Sequence, residues 1–341
     1  MENIIRQFFE FDKIETCQPF GNGHINDTYK IELIKNELKC SYLLQRFNHQ
    51  IFKRPFAVME NIGKVSEYLL RSDYPLQILR PYKNKKDEWL YIDQNQNYWR
   101  IFNFIEDTVS FDKIETVEQA YEGARTFAVF AKAFSGFDVS KLKSTIPGFH
   151  NGETRLINFE NAVENARPKR KELAKKIIAE IFEQQLFFKK INRLKLPLRV
   201  IHHDTKINNI LFKINNFKAV AVVDLDTVMP GVILSDFGDM VRTFTNSAEE
   251  DEKDTSKVEM RKDIYRAVEE GFLSEVGAIL SEEEKRYLKF AGPWLTLMQS
   301  MRFLGDYLTG DVYYKTKYPA HNLVRAKSQL ALFRSMQGVL S

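Results

Sequence analysis

Cysteine is nearly absent from this chain: the two in 341 residues, Cys17 and Cys40, are too few for a disulfide framework. Both fall in or beside segments that read as strands, so buried thiols in a reducing cytoplasm are expected. Long apolar runs are missing, which excludes a bilayer-spanning helix, and residues 1–10 lack the basic-then-apolar layout of an export signal. An excess of one charge is missing as well. The 50 basic and 46 acidic residues leave a formal +4, which argues little for nucleic acid and is compatible with an anionic cofactor such as a nucleotide. No internal repeat or low-complexity segment occurs, and the run Glu249-Glu250-Asp251-Glu252 reads as a solvated loop. What is present is ample apolar material: 44% hydrophobic and 13% aromatic residues build a large core, and a chain of this length is expected to divide into two lobes.

The first hundred residues read mainly as strands. Segments 13–20, 27–33 and 41–47 form a small antiparallel sheet with turns at Gly21-Asn22-Gly23 and Lys35-Asn36, and residues 89–92 and 98–104 supply two more strands. Between them, residues 56–70 place Met59, Ile62, Val65, Ser66 and Leu69 on one helical face. Beyond residue 106 the pattern turns helical over 116–137, 168–192, 256–272, 293–307 and 326–337.

The chemistry concentrates in Ile201-His202-His203-Asp204-Thr205-Lys206-Ile207-Asn208-Asn209, with Val222-Val223-Asp224-Leu225-Asp226 one hairpin later. Phosphoryl transfer from a nucleotide needs a carboxylate for the acceptor's hydroxyl proton and oxygen ligands that hold Mg²⁺ against the phosphates; the kinase loop H-x-D-x-x-x-x-N supplies them. Here Asp204 is the carboxylate, and Asn209 and Asp224 are the Mg²⁺ ligands. A strand over 198–201 delivers Asp204, and the turn pair Asn215-Asn216 folds the next strand back so that Asp224 returns beside Asn209. Lys206 is placed to reach the γ-phosphate. His202 reads as an orienting residue behind the loop. The literal triplet Asp236-Phe237-Gly238 lies well past Asn209, whereas Asp224 ends the hairpin strand, so the metal is assigned to Asp224.

A β-rich amino-terminal lobe followed by a helical lobe with this loop resembles the protein-kinase-like fold of the aminoglycoside phosphotransferase and choline kinase superfamily. Within it the chain resembles the N-acetylhexosamine 1-kinases, in Gly21-Asn22-Gly23-His24-Ile25-Asn26, Tyr42-Leu43-Leu44-Gln45, Asp204-Thr205-Lys206, Asp224-Leu225-Asp226-Thr227, Met301-Arg302-Phe303-Leu304, Asp306-Tyr307-Leu308 and Thr316-Lys317-Tyr318-Pro319. The resemblance spans nearly the whole chain. It implies an α+β, two-lobed fold in which 1–106 is the nucleotide-binding lobe with its hinge and 107–341 the helical catalytic and substrate lobe. It implies ATP and Mg²⁺ as cofactors, a free sugar as partner, and His24, Arg302 and Tyr313, with Asp204, as sugar contacts. It also implies that Asp236 supports the catalytic loop by hydrogen bonding. On the residues alone, an exposed histidine, a surface-paired arginine and a core tyrosine stay open for the three sugar contacts.

The phosphate loop departs from the kinase pattern. Gly21, Asn22 and Gly23 allow backbone N–H groups to approach phosphate, but Asn26 stands where a third glycine would be. Gln45 occupies the place of the third-strand lysine, with Arg46 on the other side of the pleat. Adenine is expected against Phe104, Ile105 and Glu106. Residues 292–341 hold six basic and two acidic residues, a net +4, which suits a neutral sugar better than a polycationic aminoglycoside or choline. The expected activity is transfer from ATP to the anomeric hydroxyl of an N-acetylhexosamine, with no nucleic acid, membrane or obligate protein partner. The alternatives are a kinase of another small alcohol, and a nucleotide-binding pseudokinase suggested by Gln45 but opposed by the intact Asp204, Asn209 and Asp224. A metal-dependent hydrolase on His202, His203 and Asp204 lacks further histidines at helical spacing.

Overall fold

Burial of alternate residues Ile31 and Leu33 in the second strand, and a two-residue turn before the third, set the sheet from which the rest is built. In the computed structural model, which describes residues 1–21, 25–216 and 218–340, Asn36 and Glu37 take φ of +49° and +66°, the paired left-handed residues of a tight hairpin. The described chain falls into two compact units: Met1–Ser110 with Gly136–Pro147 and Asn209–Pro230, and Phe111–Ser135 with Gly148–Asn208 and Gly231–Ser341. These units interleave along the chain, where the sequence suggested a single boundary after Glu106.

In chain order the elements are α1 (Glu2–Ile5), β1 (Lys13–Pro19), β2 (Asp27–Lys35), β3 (Leu38–Phe47), α2 (Pro55–Leu70), β4 (Gln77–Ile78), β5 (Pro81–Tyr82), β6 (Tyr91–Ile92), β7 (Tyr98–Asn103) and β8 (Thr108–Val109). Then follow α3 (Val117–Ala133), α4 (Gly152–Glu164), α5 (Pro168–Glu183), α6 (Gln185–Asn192), β9 (Arg199–Ile201), β10 (Ile210–Lys213), β11 (Ala219–Val222), β12 (Met229–Gly231), α7 (Ile233–Phe244), α8 (Lys262–Val276), α9 (Glu282–Thr309) and α10 (His321–Leu340). A β-sheet amino-terminal region thus precedes a helical carboxy-terminal region, the α+β order expected.

In the first unit the antiparallel order β1-β2-β3-β7-β5, with β6 also on β7, buries Ile31, Leu33, Leu44, Trp99 and Ile101 on one face against Ile5, Phe8 and Phe11. A second sheet runs β4-β11-β10-β8. Its β10–β11 hairpin pairs Ile210 with Val222, and its turn is fixed by the Asn216 side chain accepting from Lys218 N at 3.1 Å.

In the second unit α7 is buried nearly all round, with an apolar face opposite a stripe of Asp236, Asp239 and Arg242. Ile233, Leu234, Phe237, Met240, Val241 and Phe244 are fully buried, each contributing roughly 1.5–3 kcal/mol of transfer free energy. A Cβ on Gly238 would come within 2.4 Å of the Ala291 carbonyl oxygen, so only glycine lets α9 lie this close. The sequence placed the start of α9 at Pro293. The helix instead starts eleven residues earlier, at a capping box formed by Ser281 and Glu284, and carries Pro293 inside. The expected helix over 168–192 breaks at Gln184 into α5 and α6. Cys17 and Cys40 are free and partly exposed rather than buried. Among the described residues no helix is long and apolar enough to cross a membrane.

Candidate active site

In the second unit β9 ends at Ile201, and the loop after it is held from behind by α7. Asp236 accepts the backbone N–H of His202 at 2.9 Å and of His203 at 2.8 Å. One turn on, Asp239 accepts that of Thr205 at 3.0 Å, and the Thr205 hydroxyl donates to the Asp236 carbonyl at 2.7 Å. Arg242 neutralises Asp239 through two bonds of 3.0 and 2.8 Å. Burial pushes the Asp236 carboxyl up to about 7, with the Asp239 and Asp204 charges adding to the rise and the two N–H donors opposing it. His202 is buried edge-on to Phe127 and Phe130, with Nδ1 facing Asp204 N at 3.3 Å. His203 takes φ +66°, a conformation costing about 1–2 kcal/mol outside glycine.

The backbone so fixed leaves the Asp204 side chain 28% exposed and paired with Lys206 Nζ at 2.8 Å. Burial raises its pKa, but the Lys206 charge and hydrogen bond outweigh burial and hold the carboxyl below its usual range. The Lys206 ammonium is raised in turn, chiefly by Asp204. At neutral pH this pair is an ionised acceptor for a hydroxyl proton beside a fixed cation.

In the first unit Asn209 and Asp224 bracket the β10–β11 hairpin, where Val223 N donates to the Asn209 carbonyl at 2.9 Å. Asp224 sits in the left-handed region at φ +59°, ψ +60°, and a 3-10 turn, Leu225–Thr227, follows. Two hard oxygen donors, one just before β10 and one just after β11, fit Mg²⁺, which takes few protein ligands and keeps water or phosphate oxygens elsewhere. Asp226 belongs to a different set: Arg100 Nη1 and Nη2 bind its carboxylate at 2.5 and 2.9 Å, and Asn26 Nδ2 adds a bond of 2.9 Å.

Gly21 adopts φ +76°; Asn22, Gly23 and His24 lie outside the described residues. Gln45 donates to Thr28 Oγ1 at 3.0 Å and accepts from Arg100 Nε at 2.9 Å. Phe104 packs edge-on against Phe20 and lies under the Lys30 ammonium. Ile105 accepts the Thr108 hydroxyl at 2.8 Å, and Glu106 pairs with Lys30 at 3.3 Å.

In the second unit Arg302 and Tyr313 flank Tyr314. The Arg302 guanidinium lies 4.9 Å from the Phe149 ring and 5.7 Å from that of Tyr314 and donates to Gln299 at 2.9 Å; Tyr313 packs edge-on to Tyr314. His150 stacks on Phe149 and approaches His203 at 5.2 Å. Its imidazole is held neutral by burial and by the charges of His203, Arg302, Arg155 and Arg242. Burial and Arg302 together bring the Arg155 guanidinium down to about 10. The segment carrying Tyr313 is tied to Asp306, which accepts the backbone N–H groups of Val312, Tyr313 and Tyr314 at 2.9, 2.7 and 3.0 Å.

The candidates therefore gather as three groups: Asp204 with Lys206, Asn209 with Asp224, and Arg302 with Tyr313. Sequence reasoning missed Asp239, Asp306, Phe149, His150 and the Arg100–Asp226 pair. The three-residue spacing of Asp236 and Asp239 was the available signal for the first.

Residues 16–261 match the model of the APH family, described as the phosphotransferase enzyme family. The fold is similar to that of a spectinomycin phosphotransferase in complex with ADP and spectinomycin, at TM-score 0.61 and 14% identity over 99% of this chain and 96% of that one. A microcompartment-associated aminopropanol kinase is similar at TM-score 0.60 and 12% identity, covering 99% and 97% of the two chains. A Plasmodium vivax ethanolamine kinase is similar at TM-score 0.54 and 14% identity, covering 94% and 84%. With a kinase-like order of elements, an anchored Asp204 loop and a family match over most of its length, this chain belongs to the APH phosphotransferase enzyme family.

Proposed function

We propose that the protein is a cytoplasmic, Mg²⁺- and ATP-dependent kinase that phosphorylates the anomeric hydroxyl of an N-acetylhexosamine to the sugar 1-phosphate. The observation that carries the reading is the Asp204–Lys206 pair on a loop whose backbone is bound by Asp236 and Asp239. Asp204 orients the C1 hydroxyl and takes its proton as the oxygen attacks the γ-phosphorus and the bond to ADP breaks. Lys206 stabilises charge on the moving phosphoryl group. Asn209 and Asp224 would hold Mg²⁺, which when bound neutralises phosphate oxygens. Asp236, buried beneath the loop, is a positioning residue.

On this reading the region through Glu106 takes the nucleotide, with Gly21, Asn22 and Gly23 on its phosphates and Phe104, Ile105 and Glu106 at its adenine. The helical remainder takes the acceptor. Arg302 and Tyr313 contact the sugar, with His24, and the Phe149 and Tyr314 rings hold the Arg302 guanidinium in place. Charge selects the acceptor. Arg302 and Arg155 both act on His150, while Arg242 is paired with Asp239 and Glu250. Cations so placed repel the ammonium groups of aminoglycosides and amino alcohols and tolerate a neutral N-acetyl sugar.

The test is a coupled assay of ADP release over free sugars, their methyl glycosides, aminoglycosides and amino alcohols. N-acetylglucosamine or N-acetylgalactosamine should turn over, and their methyl glycosides, lacking the C1 hydroxyl, should not. Comparable rates on a methyl glycoside would move the reaction to another hydroxyl; turnover of amines alone would replace the sugar with another small alcohol.

A further inference from the structure

The β2–β3–β7 register sets Thr28 opposite Gln45 and Gln45 opposite Arg100, so their side chains share one face of the sheet. Arg100 is 2% exposed and every nitrogen is used: Nε on Gln45, Nη1 on Asp226 and the Met59 sulfur, Nη2 on Asp226. Its guanidinium also lies between the Phe47 and Phe102 rings, at 4.7 and 5.0 Å. Asp226 is 3% exposed and stands two residues after Asp224, whose left-handed backbone needs an outside hold to persist. The third donor to Asp226 is Asn26, which in turn accepts the backbone N–H of Asn48 at 2.9 Å and follows the glycine loop by three residues.

We infer that Arg100 is a positioning residue for the metal aspartate: it clamps Asp226, and through it fixes the Asp224 carboxylate, while Gln45 steers the clamp rather than binding phosphate. The inference rests on the reading of Asp224 as a Mg²⁺ ligand. It accounts for the missing lysine, because an ammonium at position 45 would point at a buried guanidinium and repel it. The Asp226 carboxylate, saturated by Arg100 and Asn26, is thereby reserved for the scaffold although it lies in the same Asp-Leu-Asp motif as Asp224. Supporting groups behind a metal ligand are worth about 10–100-fold in metal affinity.

The experiment measures ADP binding by calorimetry across a Mg²⁺ series. In Arg100→Met/Asp226→Leu both charges go together, leaving no lone buried ion, so the fold should survive; its circular dichroism and melting temperature report this. The Mg²⁺ concentration for half-maximal enhancement of ADP binding should rise about 10-fold or more, with metal-free ADP affinity unchanged. Gln45→Met, which keeps the ion pair, should shift that midpoint the same way by a smaller factor, and Gln45→Lys by a larger one. A folded double variant with the wild-type Mg²⁺ midpoint would overturn the inference. So would Gln45 variants whose only change is weaker metal-free ADP binding, since that marks direct phosphate contact. Wild-type ADP binding indifferent to Mg²⁺ would remove the metal reading itself, and the inference with it.

Discussion

Asp306→Ala isolates the proposed acceptor segment from the rest of the molecule. The Asp306 carboxylate is 7% exposed and accepts from three successive backbone N–H groups, with Asn322 Nδ2 as a fourth donor at 2.9 Å. Val312 and Tyr313 are largely exposed, so water replaces part of what is lost and each of the four bonds costs about 1 kcal/mol, for a total of about 4 kcal/mol. Asp306→Asn divides that figure. An amide oxygen in the Oδ1 place keeps Val312 and Tyr313, while the amide nitrogen in the Oδ2 place faces two donors, a loss of about 2 kcal/mol. Equilibrium urea unfolding should rank wild type above Asn above Ala. Because Arg170 and Asn322 still hold Asp311, at 2.7 and 3.0 Å, the segment should loosen without unfolding the unit. The sugar KM should then rise at least about 10-fold, equivalent to about 1.4 kcal/mol, with the KM for ATP unchanged. Equal effects on both KM values, or a stability loss below about 1 kcal/mol with sugar KM intact, would refute the reasoning.

Asp204→Asn should abolish turnover while leaving ADP binding within about 2-fold of wild type, since a proton acceptor is lost without a nucleotide contact; turnover near wild type would remove the role given to Asp204. Asp224→Gly should eliminate Mg²⁺-dependent ADP binding while unfolding free energy stays equal or rises by about 1 kcal/mol, because glycine relieves the left-handed backbone. Metal dependence lost only in Asp236→Ala would transfer the metal to that residue. Protonating Asp236, whose pKa burial lifts to about 7, costs the loop an acceptor, whereas Lys206 keeps Asp204 ionised; turnover should therefore fall through an acid limb near pH 7, and a limb below pH 5 would refute the assignment. Since the Asp236 pKa is raised in the folded state, its contribution to stability is fullest below about pH 4, the unfolded value, and is lost as pH rises toward 7.

Where one physical signal decided an element, the sequence revealed it. Alternation in β2 and the polar turn that follows it make β2 and β3 legible, and the three- and four-residue steps of Met59, Ile62, Val65 and Leu69 make α2 so. The helix α7 escaped although Ser235, Asp236, Asp239 and Arg242 mark a polar stripe, because Gly238 interrupts its middle and Val232 offers no capping side chain. Pro293 misled because proline at a first helical turn is the commoner case, and the Ser281–Glu284 capping box upstream was the stronger evidence.

The candidate site divides along the same line. Residues that act on a ligand must stand at fixed spacing on one short segment, so Asp204, Lys206 and Asn209 could be read from a single loop, and Asp224 from the hairpin after it. Residues that hold that machinery are selected by which backbone groups reach them, and those partners lie far off in sequence: Asp236 and Asp239 serve N–H groups more than thirty residues away, and Arg100 meets Asp226 across 126 positions. No local pattern encodes such pairs; the support of the loop by Asp236 is what the family resemblance implies, and its two N–H contacts bear that out. Gln45 is the telling case, because its departure from lysine was visible at once while its cause was not. Only the strand register, which puts it between Thr28 and Arg100, shows that a cation was already buried beside it. The charge expected at position 45 is therefore carried one strand over, where the Asp226 carboxylate rather than a phosphate is its partner.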